Sequence, residues 1–305
     1  MSFSFEKDIY LDKNYVALFG ELFEFEFKKD EKYFKLVVNK NKIKNSEFYD
    51  LSSAYGYSSI FANTSDTSFL NEALSALKSR CFDENIIAIF LRLHPYDMNL
   101  SFFEKKFDFF EQNRKLVVLE LKNDINETRS SYSPRMRTCV RKARKELKIE
   151  FADEKDKDSF VKFYEKSMKS LGASSFYFFN KDYHNTLFNF EQYYLLKASY
   201  ENQILGFVSF FLGADFSYYH LGATSKLMNA NAALLDFSFE FMSLKKSKIC
   251  ILGGGLKDDD SLYKFKSKFS KQNAKFYIGG IITNEKAYNE LCKAHLNSKF
   301  LKYRF

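Results

Sequence analysis

Short apolar runs with a strand-like pattern dominate the first half of the chain. They predict strands at residues 15–27, 33–38, 86–93 and 116–121. One stretch repeats instead at helical spacing, with the apolar side chains Phe69, Leu70, Ala73, Leu74 and Leu77. This stripe predicts a helix over residues 67–80, with Thr67 as a candidate N-cap.

The pattern is clearer in the second half. Three strand-like runs are separated by turns of three residues each, which favours an antiparallel meander. These runs span residues 193–200, 204–212 and 216–221. A helix is predicted next over residues 229–245, where the apolar side chains on one side are Ala233, Leu234, Phe237, Phe241 and Leu244.

The remaining elements complete a mixed order of strands and helices. They are a strand at residues 148–151, a helix at 158–169, a strand at 248–252, a helix at 261–269 and a strand at 275–282. This order predicts an α/β (α+β) fold with a mixed sheet. No Pro- or Ser-rich linker divides the chain, and we predict two closely packed domains at residues 1–146 and 147–305.

Charge changes this picture at one place. The chain carries a net charge of +8, and residues 135–148 hold seven basic side chains and one acidic side chain. Apolar residues repeat through this stretch at helical spacing, and Ser133 followed by Pro134 is a typical helix start. We therefore predict a packed helix with a cationic outer surface. Two interpretations stay open: a solvated amphipathic helix, or a helix that faces the phosphates of a ligand.

Composition excludes several classes of protein. The chain is 46% hydrophobic and 28% charged, which is a globular and not a disordered balance. Its 37 Phe and 20 Tyr, with many Lys, fit a bias toward A/T-rich codons, so the aromatics alone do not indicate base stacking. The sequence has neither a signal-peptide pattern nor an apolar run long enough to span a membrane. Scattered cysteines and histidines argue against a zinc site and favour a reducing, cytoplasmic location.

A series of short motifs then follows in order between about residues 49 and 284. They are Tyr49-Asp50, Ala54-Tyr55-Gly56-Tyr57, Leu91-Arg92-Leu93-His94-Pro95, Arg141-Lys142-Ala143-Arg144-Lys145, Phe163-Tyr164, Ser167-Met168, Tyr218-Tyr219-His220-Leu221-Gly222-Ala223, Leu252-Gly253-Gly254-Gly255 and Leu262-Tyr263-Lys264-Phe265-Lys266 with Phe269. In order and spacing this series resembles the Fem-like transferases and the related GNAT-type proteins of bacterial cell-envelope and surface-polysaccharide pathways.

The resemblance implies two tandem GNAT-like domains and transfer of an acyl or aminoacyl group to an amine. Fem-like enzymes use aminoacyl-tRNA as donor and a peptidoglycan precursor as acceptor, whereas other GNAT-type relatives use acyl-CoA and an amino sugar. It thus implies a co-substrate rather than a tightly bound cofactor, no metal, and a nucleotide- or lipid-linked precursor as partner, with tRNA as a further candidate partner. The acceptor amine is expected in the cleft between the domains.

The resemblance also assigns candidate catalytic residues. Lys266, which follows Phe265, corresponds to a lysine that stabilises the charge of the tetrahedral intermediate, and a cation is most effective there where water is excluded. A solvated lysine in a lysine-rich chain is the alternative. His220 is a candidate proton acceptor for the attacking amine, or else a core histidine.

Further residues are candidates for binding. On the acceptor side they are Tyr55, Tyr57, Arg92, His94, Lys169, Tyr177 and Tyr218. On the donor side they are Arg141, Lys142, Arg144, Lys145, Gly253, Gly254 and Gly255. The glycines alternatively form only a tight turn, the two tyrosines of the 55–57 loop alternatively pack in a core, and the acidic run at 258–260 is expected to cap the next helix.

One departure bears on the donor. GNAT enzymes that bind coenzyme A carry a Gln/Arg-x-x-Gly-x-Gly/Ala loop at a helix N-terminus. The corresponding loop, residues 222–232, lacks that pattern, which tilts the prediction slightly toward aminoacyl-tRNA. The sequence therefore predicts an N-acyltransferase acting on an amine of an envelope or surface-glycan precursor. The alternative is a non-catalytic module that binds tRNA or a phosphorylated glycan precursor.

Overall fold

A computed structural model describes residues 3–225, 227–255 and 260–305 of the chain. Its strands are β1 (Glu21–Lys29), β2 (Lys32–Lys42), β3 (Tyr49–Ser52), β4 (Ile60–Ala62), β5 (Ile86–Arg92), β6 (Phe109–Glu120), β7 (Lys148–Phe151), β8 (Tyr193–Tyr200), β9 (Gln203–Phe211), β10 (Phe216–Thr224), β11 (Ile249–Gly253) and β12 (Asn273–Ile282). Its α-helices are α1 (Lys13–Ala17), α2 (Thr67–Asp83), α3 (Leu100–Lys106), α4 (Ile125–Ser130), α5 (Pro134–Glu146), α6 (Lys157–Ser170), α7 (Lys181–Leu187), α8 (Ala230–Leu244), α9 (Ser261–Lys266) and α10 (Glu285–Cys292). The predicted mixed α/β class is confirmed.

The chain divides into two compact units. Unit 1 comprises Met1–Arg114 and Lys275–Phe305, and unit 2 comprises Lys115–Ala274. The predicted domains, 1–146 and 147–305, differ from these units in two places. The first segment of unit 1 ends at Arg114, and residues 275–305 belong to unit 1. The basic helix α5 packs inside the core of unit 2, and β12 pairs with β5 of unit 1 and thereby returns the C-terminal residues to that unit.

Unit 1 has a sheet in the order β1-β2-β3-β5-β12, with β4 paired to β2. The pair β3–β5 is parallel, and β1–β2, β2–β3 and β5–β12 are antiparallel. Helix α2 buries the predicted stripe from Phe69 to Leu77 against this sheet. Its cap is Asp66, not Thr67, because the Asp66 carboxylate accepts from the amides of Ser68 and Phe69.

One predicted strand of unit 1 is wrong at its start. Residues 13–17 form the short helix α1, and the strand begins only at Glu21. Asp12 caps this helix by accepting from the backbone amides of Asn14 and Tyr15. The local cap therefore outweighs the strand-like run of apolar residues there.

Unit 2 contains a sheet in the order β6-β11-β10-β9-β8-β7. The predicted antiparallel meander β8-β9-β10 is confirmed, and β11 joins it in parallel to β10. One face packs on α5 and α8, whose buried residues share a core with Val208 and Phe210 of β9. On the other face, Phe160 of α6 contacts Phe207 with ring centroids 5.6 Å apart.

The basic helix α5 forms as predicted. Ser133 caps it by accepting from the amide of Met136, and Pro134 occupies its first turn. Met136, Val140 and Ala143 are buried in the unit 2 core. Helix α8 differs from its prediction, because Leu244 is 72% exposed and the half-buried side chains of Phe237 and Phe241 lie at the edge of that core.

Candidate functional site

Strands β10 and β11 of unit 2 separate before either ends. Their parallel register runs from Phe216–Ile249 to Tyr218–Ile251, and no further pair joins them among the described residues. Strand β10 continues to Thr224, with an irregularity between Tyr219 and Gly222 in its pairing to β9. The two strands thus open a gap at their carboxyl ends, which is where ligands bind in α/β sheets.

Lys266 points its ammonium group into the region where the strands separate. Its Nζ donates to the carbonyl oxygen of Gly254, just beyond β11, at 2.9 Å, and lies 5.0 Å from the ring centre of Tyr219, just beyond the last β10–β11 pair. The residue is only 5% exposed, whereas Lys264 in the same helix is exposed. Lys266 is therefore not a solvated lysine. A cation held in place away from water is suited to stabilising negative charge.

The three glycines form the turn that holds this lysine. Gly253 has φ +76°, a left-handed conformation that favours glycine. At Gly255 an added Cβ would lie 2.0 Å from Oδ1 of Asp260, so a larger residue would displace that carboxylate. Asp260 in turn caps α9 by accepting from the amide of Tyr263 at 2.8 Å. The predicted cap is thus formed by Asp260, while residues 258 and 259 lie outside the described residues. The turn has a structural role, and a donor-binding role for its glycines stays a prediction.

A groove of about 380 Å³ lies beside Phe265, the neighbour of Lys266. Its lining includes two cationic side chains, Arg135 of α5 and Lys268, and the first residues of α8. Asn229 enters α8 in a left-handed conformation without a side-chain cap, and the first turn of the helix carries no acidic residue. Uncapped amides and two cations favour an anionic group in this groove.

A larger groove of about 1080 Å³ lies along another side of α5 and shares no lining residue with the first. The predicted donor residues Arg141, Arg144 and Lys145 line this larger groove, and Lys142 is exposed but lines neither. The structure thus places these cations away from the groove beside Phe265. Their predicted contact with the donor stays a prediction.

Arg144 belongs to an ion-pair network that joins three helices. It donates to Glu240 at 2.7 Å, while Arg129 of α4 donates through two nitrogens to Asp236 of α8 at 2.8 and 2.7 Å. The Asp236 side chain is fully buried, and the Tyr132 hydroxyl donates to it at 3.1 Å. The carboxylates beside Arg129 raise the pKa of its guanidinium. This network has a structural function, because each buried charge has a partner.

His220 lies on the opposite face of the sheet from Tyr219, because Tyr219 packs against the core of α5 and α8 whereas His220 packs against Phe211 and Tyr183. Its Nε2 is 2.5 Å from the Tyr183 hydroxyl, and the residue is 4% exposed. Burial lowers the pKa of His220 to about 3. A histidine with so low a pKa is a weak base at neutral pH, so the geometry favours the core interpretation over proton transfer. Tyr218, on the same strand, is also buried.

His184 of α7 is a buried polar residue that the sequence did not single out. It is 1% exposed, and among the described residues neither ring nitrogen has a hydrogen-bond partner. Aromatic rings surround it, with the Phe160 and Tyr164 centroids at 5.7 and 6.1 Å. Burial lowers its pKa to about 4. No periodicity marks such a residue, because its environment arises from the packing of α6 on α7.

In unit 1 the structure brings three predicted acceptor residues together. The ring of Tyr57 lies 6.2 Å from that of His94, and Arg92 Nε donates to the carbonyl of Gly56 at 2.8 Å. The Arg92 guanidinium lies 5.2 Å from the ring centre of Phe276. Burial lowers the pKa of His94 to about 3, so this ring is neutral at physiological pH. His94 and Phe276 are each only 1% exposed, so Tyr57 and Arg92 are the partly buried members of this cluster, and a role in binding stays a prediction.

The other predicted acceptor residues lie elsewhere in their units. The Tyr55 carbonyl accepts from the Tyr15 hydroxyl at 2.9 Å in unit 1. In unit 2, Lys169 is exposed at the end of α6, 3.8 Å from Glu165, and Tyr177 ends a short 3-10 helix that follows. An exposed pair of this kind contributes little to stability. The roles of these residues in binding stay predictions.

Two kinds of feature are absent from the described residues. No group of three or more His, Cys, Asp or Glu side chains is arranged to hold a metal ion in that part of the chain. None of the helices formed by residues 3–225, 227–255 and 260–305 is both long and apolar enough to cross a bilayer.

Comparison with known proteins places the fold. No protein-family model matches the chain, and a search of curated proteins gives no match. Among solved structures, FemX superposes with a TM-score of 0.74 at 14% identity, over 93% of this chain and 94% of FemX. A conserved protein of unknown function from Bacteroides thetaiotaomicron (TM-score 0.62, 10% identity, 91% and 93% of the chains) and L-PGS from Bacillus licheniformis (0.57, 12%, 88% and 87%) are also similar. The chain therefore has the fold of FemX, and the predicted Fem-like resemblance is confirmed at the level of the fold.

Proposed function

We propose that the protein is an N-acyltransferase that moves an acyl or aminoacyl group onto an amine of a cell-envelope or surface-glycan precursor. The observation that carries this proposal is the position of Lys266. Its ammonium group is buried and fixed by Gly254 where β10 and β11 separate. The motif series and the shared fold with FemX support the same reaction class.

The reaction needs no covalent enzyme intermediate. The amine nitrogen bonds to the acyl carbon, and the carbonyl oxygen takes up negative charge in the tetrahedral intermediate. Lys266 stabilises that charge, and its burial strengthens the interaction. The bond between the acyl carbon and the carrier oxygen or sulfur then breaks, and the proton of the amine ends on the leaving group. Because the pKa of His220 is about 3, a substrate group or water carries the proton.

The donor occupies the groove beside Phe265 in this proposal. Arg135, Lys268 and the first amides of α8 face an anionic part of the donor there. Aminoacyl-tRNA carries a phosphate on the same nucleotide as the activated ester, and acyl-CoA carries a pyrophosphate at the other end of its pantetheine arm. The absence of the coenzyme A loop pattern in residues 222–232 favours aminoacyl-tRNA.

The acceptor is proposed to be a nucleotide- or lipid-linked precursor that carries a free amine. In this proposal Tyr57 and Arg92 of unit 1, which are only partly buried, supply an aromatic surface and a cation for such a ligand, and the buried His94 ring supports Tyr57 from behind. We place the reaction in the bacterial cytoplasm, where the free thiols of Cys81, Cys139, Cys250 and Cys292 fit a reducing compartment.

A donor screen tests the proposal. The purified protein is incubated with charged tRNA or with acyl-CoA and a panel of amine-bearing precursors, and products are identified by mass spectrometry. We expect transfer from one donor class, and loss of transfer in Lys266→Met but not in Lys264→Met, which changes an exposed lysine of the same helix. Saturable binding of tRNA or glycan without transfer from any donor would instead support a non-catalytic binding module.

A further inference from the structure

The outer surface of α5 and α8 carries apolar and cationic side chains that lie outside the groove proposed for the donor. We call it the α5–α8 face and define it by Phe151, Phe237, Phe241 and Leu244 together with Arg141, Lys145 and Lys245. Leu244 is 72% exposed and Phe151 is 43% exposed. Large apolar side chains with this exposure, gathered in one place, indicate an interaction surface.

The apolar members of the face form one contiguous ridge. Phe237, Phe241 and Leu244 are spaced at i, i+4 and i+7 on α8, so they share one side of the helix. Phe151 extends the ridge, since its ring lies 4.9 Å from Phe241 and 5.8 Å from Phe237. Phe151 belongs to β7, the last strand in the sheet order of unit 2.

Cations of α5 lie on the Glu240 side of this ridge, because Arg141 and Lys145 line the larger groove together with Glu240, which neighbours Phe237 and Leu244 on the surface of α8. Arg141 and Lys145 of α5 are exposed and form no ion pair among the described residues. Arg144 differs, because it is paired with Glu240 and covers the Phe237 ring at 4.8 Å. Lys245 covers the Phe241 ring at 5.6 Å. The face therefore combines exposed apolar groups with excess positive charge, which is complementary to an anionic lipid surface.

Nucleic acid fits the same charge but not the same apolar groups. Proteins that bind single strands offer open aromatic faces on which bases stack. Here Arg144 and Lys245 already cover the rings of Phe237 and Phe241, and the most exposed apolar side chain, Leu244, is aliphatic. Aliphatic groups and ring edges instead suit the boundary between headgroups and acyl chains.

We propose that the α5–α8 face docks the protein on the surface of an anionic bilayer. Leu244 and Phe151 enter the headgroup region, and Arg141 and Lys145 contact lipid phosphates. The proposal does not depend on the acyltransferase assignment, since it uses neither Lys266 nor the groove beside Phe265.

The chain contains no Trp, so a single introduced Trp reports on its own surroundings. We would make Leu244→Trp and Phe151→Trp, with Phe82→Trp as a matched control, because Phe82 of α2 is 58% exposed but lies in unit 1. On vesicles of phosphatidylglycerol and phosphatidylcholine, we expect a blue shift of the emission for the first two variants only. Vesicles of phosphatidylcholine alone should leave all three spectra unchanged.

Charge variants test the electrostatic part by vesicle cosedimentation. Arg141→Gln with Lys145→Gln should weaken partitioning to anionic vesicles about thirtyfold, since each cation near such a surface contributes about 1 kcal/mol. The double variant Lys105→Gln with Lys286→Gln removes two exposed lysines of unit 1, and it should change the partitioning to anionic vesicles little. Circular dichroism establishes that each variant is folded. The proposal fails if no shift occurs on anionic vesicles, if Phe82→Trp shifts equally, or if tRNA alone shifts the Leu244→Trp emission.

Discussion

The ammonium group of Lys266 lies over the ring of Tyr219, 5.0 Å from its centre, directly beyond the last pair between β10 and β11. On the other side of the gap, the carbonyl oxygen of Gly254 accepts a hydrogen bond from the Lys266 ammonium group. One side chain thus contacts the continuations of both strands at the point where they separate. The contact holds a positive charge in a buried position, which is costly to maintain for stability alone.

Replacing Lys266 separates activity from stability. Lys266→Met keeps the length of the side chain and removes the buried charge, so we expect the melting temperature to stay the same or rise. We expect transfer to fall about 100- to 1,000-fold, as when one group that stabilises an oxyanion is removed. Transfer rates and thermal melts of Lys266→Met and of the exposed control Lys264→Met measure both effects. Unchanged transfer in Lys266→Met would remove this residue from the mechanism.

The network around Asp236 should dominate the stability of unit 2. Asp236→Asn leaves Arg129 and Arg144 close to a neutral group, and we expect a loss of about 3–5 kcal/mol in the free energy of unfolding. Glu240→Gln changes a side chain that is 32% exposed, and should cost less than about 1 kcal/mol. Urea denaturation followed by circular dichroism measures both variants. Equal losses would mean that burial does not distinguish the two carboxylates.

The buried histidines predict a loss of stability in acid. Burial lowers the pKa of His184 to about 4 and that of His220 to about 3, below the ordinary 6.5. Below pH 6.5 the unfolded chain therefore binds more protons than the folded chain does. The contribution of the two histidines to folding stability is complete above that pH and is lost as pH falls toward 4.

His184→Leu tests this dependence at one site. It removes one titrating group and two ring nitrogens that have no partner among the described residues. We expect a shallower fall of the melting temperature between pH 6.5 and 4, and a gain of about 1–3 kcal/mol at neutral pH. A variant that melts lower at pH 7 and keeps the full acid dependence would show that His184 has a partner.

The contribution of Asp97 to folding stability should depend on pH in the opposite direction to that of the histidines. Burial raises its pKa from 3.8 to about 7, and only Oδ1 accepts a hydrogen bond among the described residues, from the amide of Asn99 at 2.8 Å. The folded state binds the extra proton, so its contribution is complete below pH 3.8 and is lost as pH rises through 7. We expect Asp97→Asn to melt higher than the unaltered protein at pH 8 and equally at pH 3.5. Thermal melts at the two pH values check this, and a uniform gain at both would contradict it.

Local sequence was sufficient where an element carries its own signals. Ser133, Pro134 and a regular apolar stripe define α5, and the structure confirms both its start and its buried side. The meander β8-β9-β10 was predicted because short polar turns separate its strands. Local signals were insufficient at residues 13–17, where the Asp12 cap produces a helix inside an apparent strand pattern.

The candidate site was predicted in part. The motif series pointed to Lys266, and the structure adds its burial and its contacts with Gly254 and Tyr219. It also places His220 on the opposite face of the sheet from Tyr219, the ring that Lys266 contacts, and it pairs Arg144 with Glu240. These outcomes depend on residues far apart in the chain, such as Arg144 and Glu240, whose proximity no local pattern encodes.

The sequence by itself determined the mixed α/β order, the position of the basic helix and the lysine that follows the glycine turn, because these follow from periodicity, capping and motif order. Only the tertiary structure decided which charges are buried, which cations of α5 stay exposed and which unit receives residues 275–305. The reason is physical: burial and ion pairing depend on which surfaces pack together, and the same lysine or arginine is solvated, paired or fixed in a dry gap according to its neighbours.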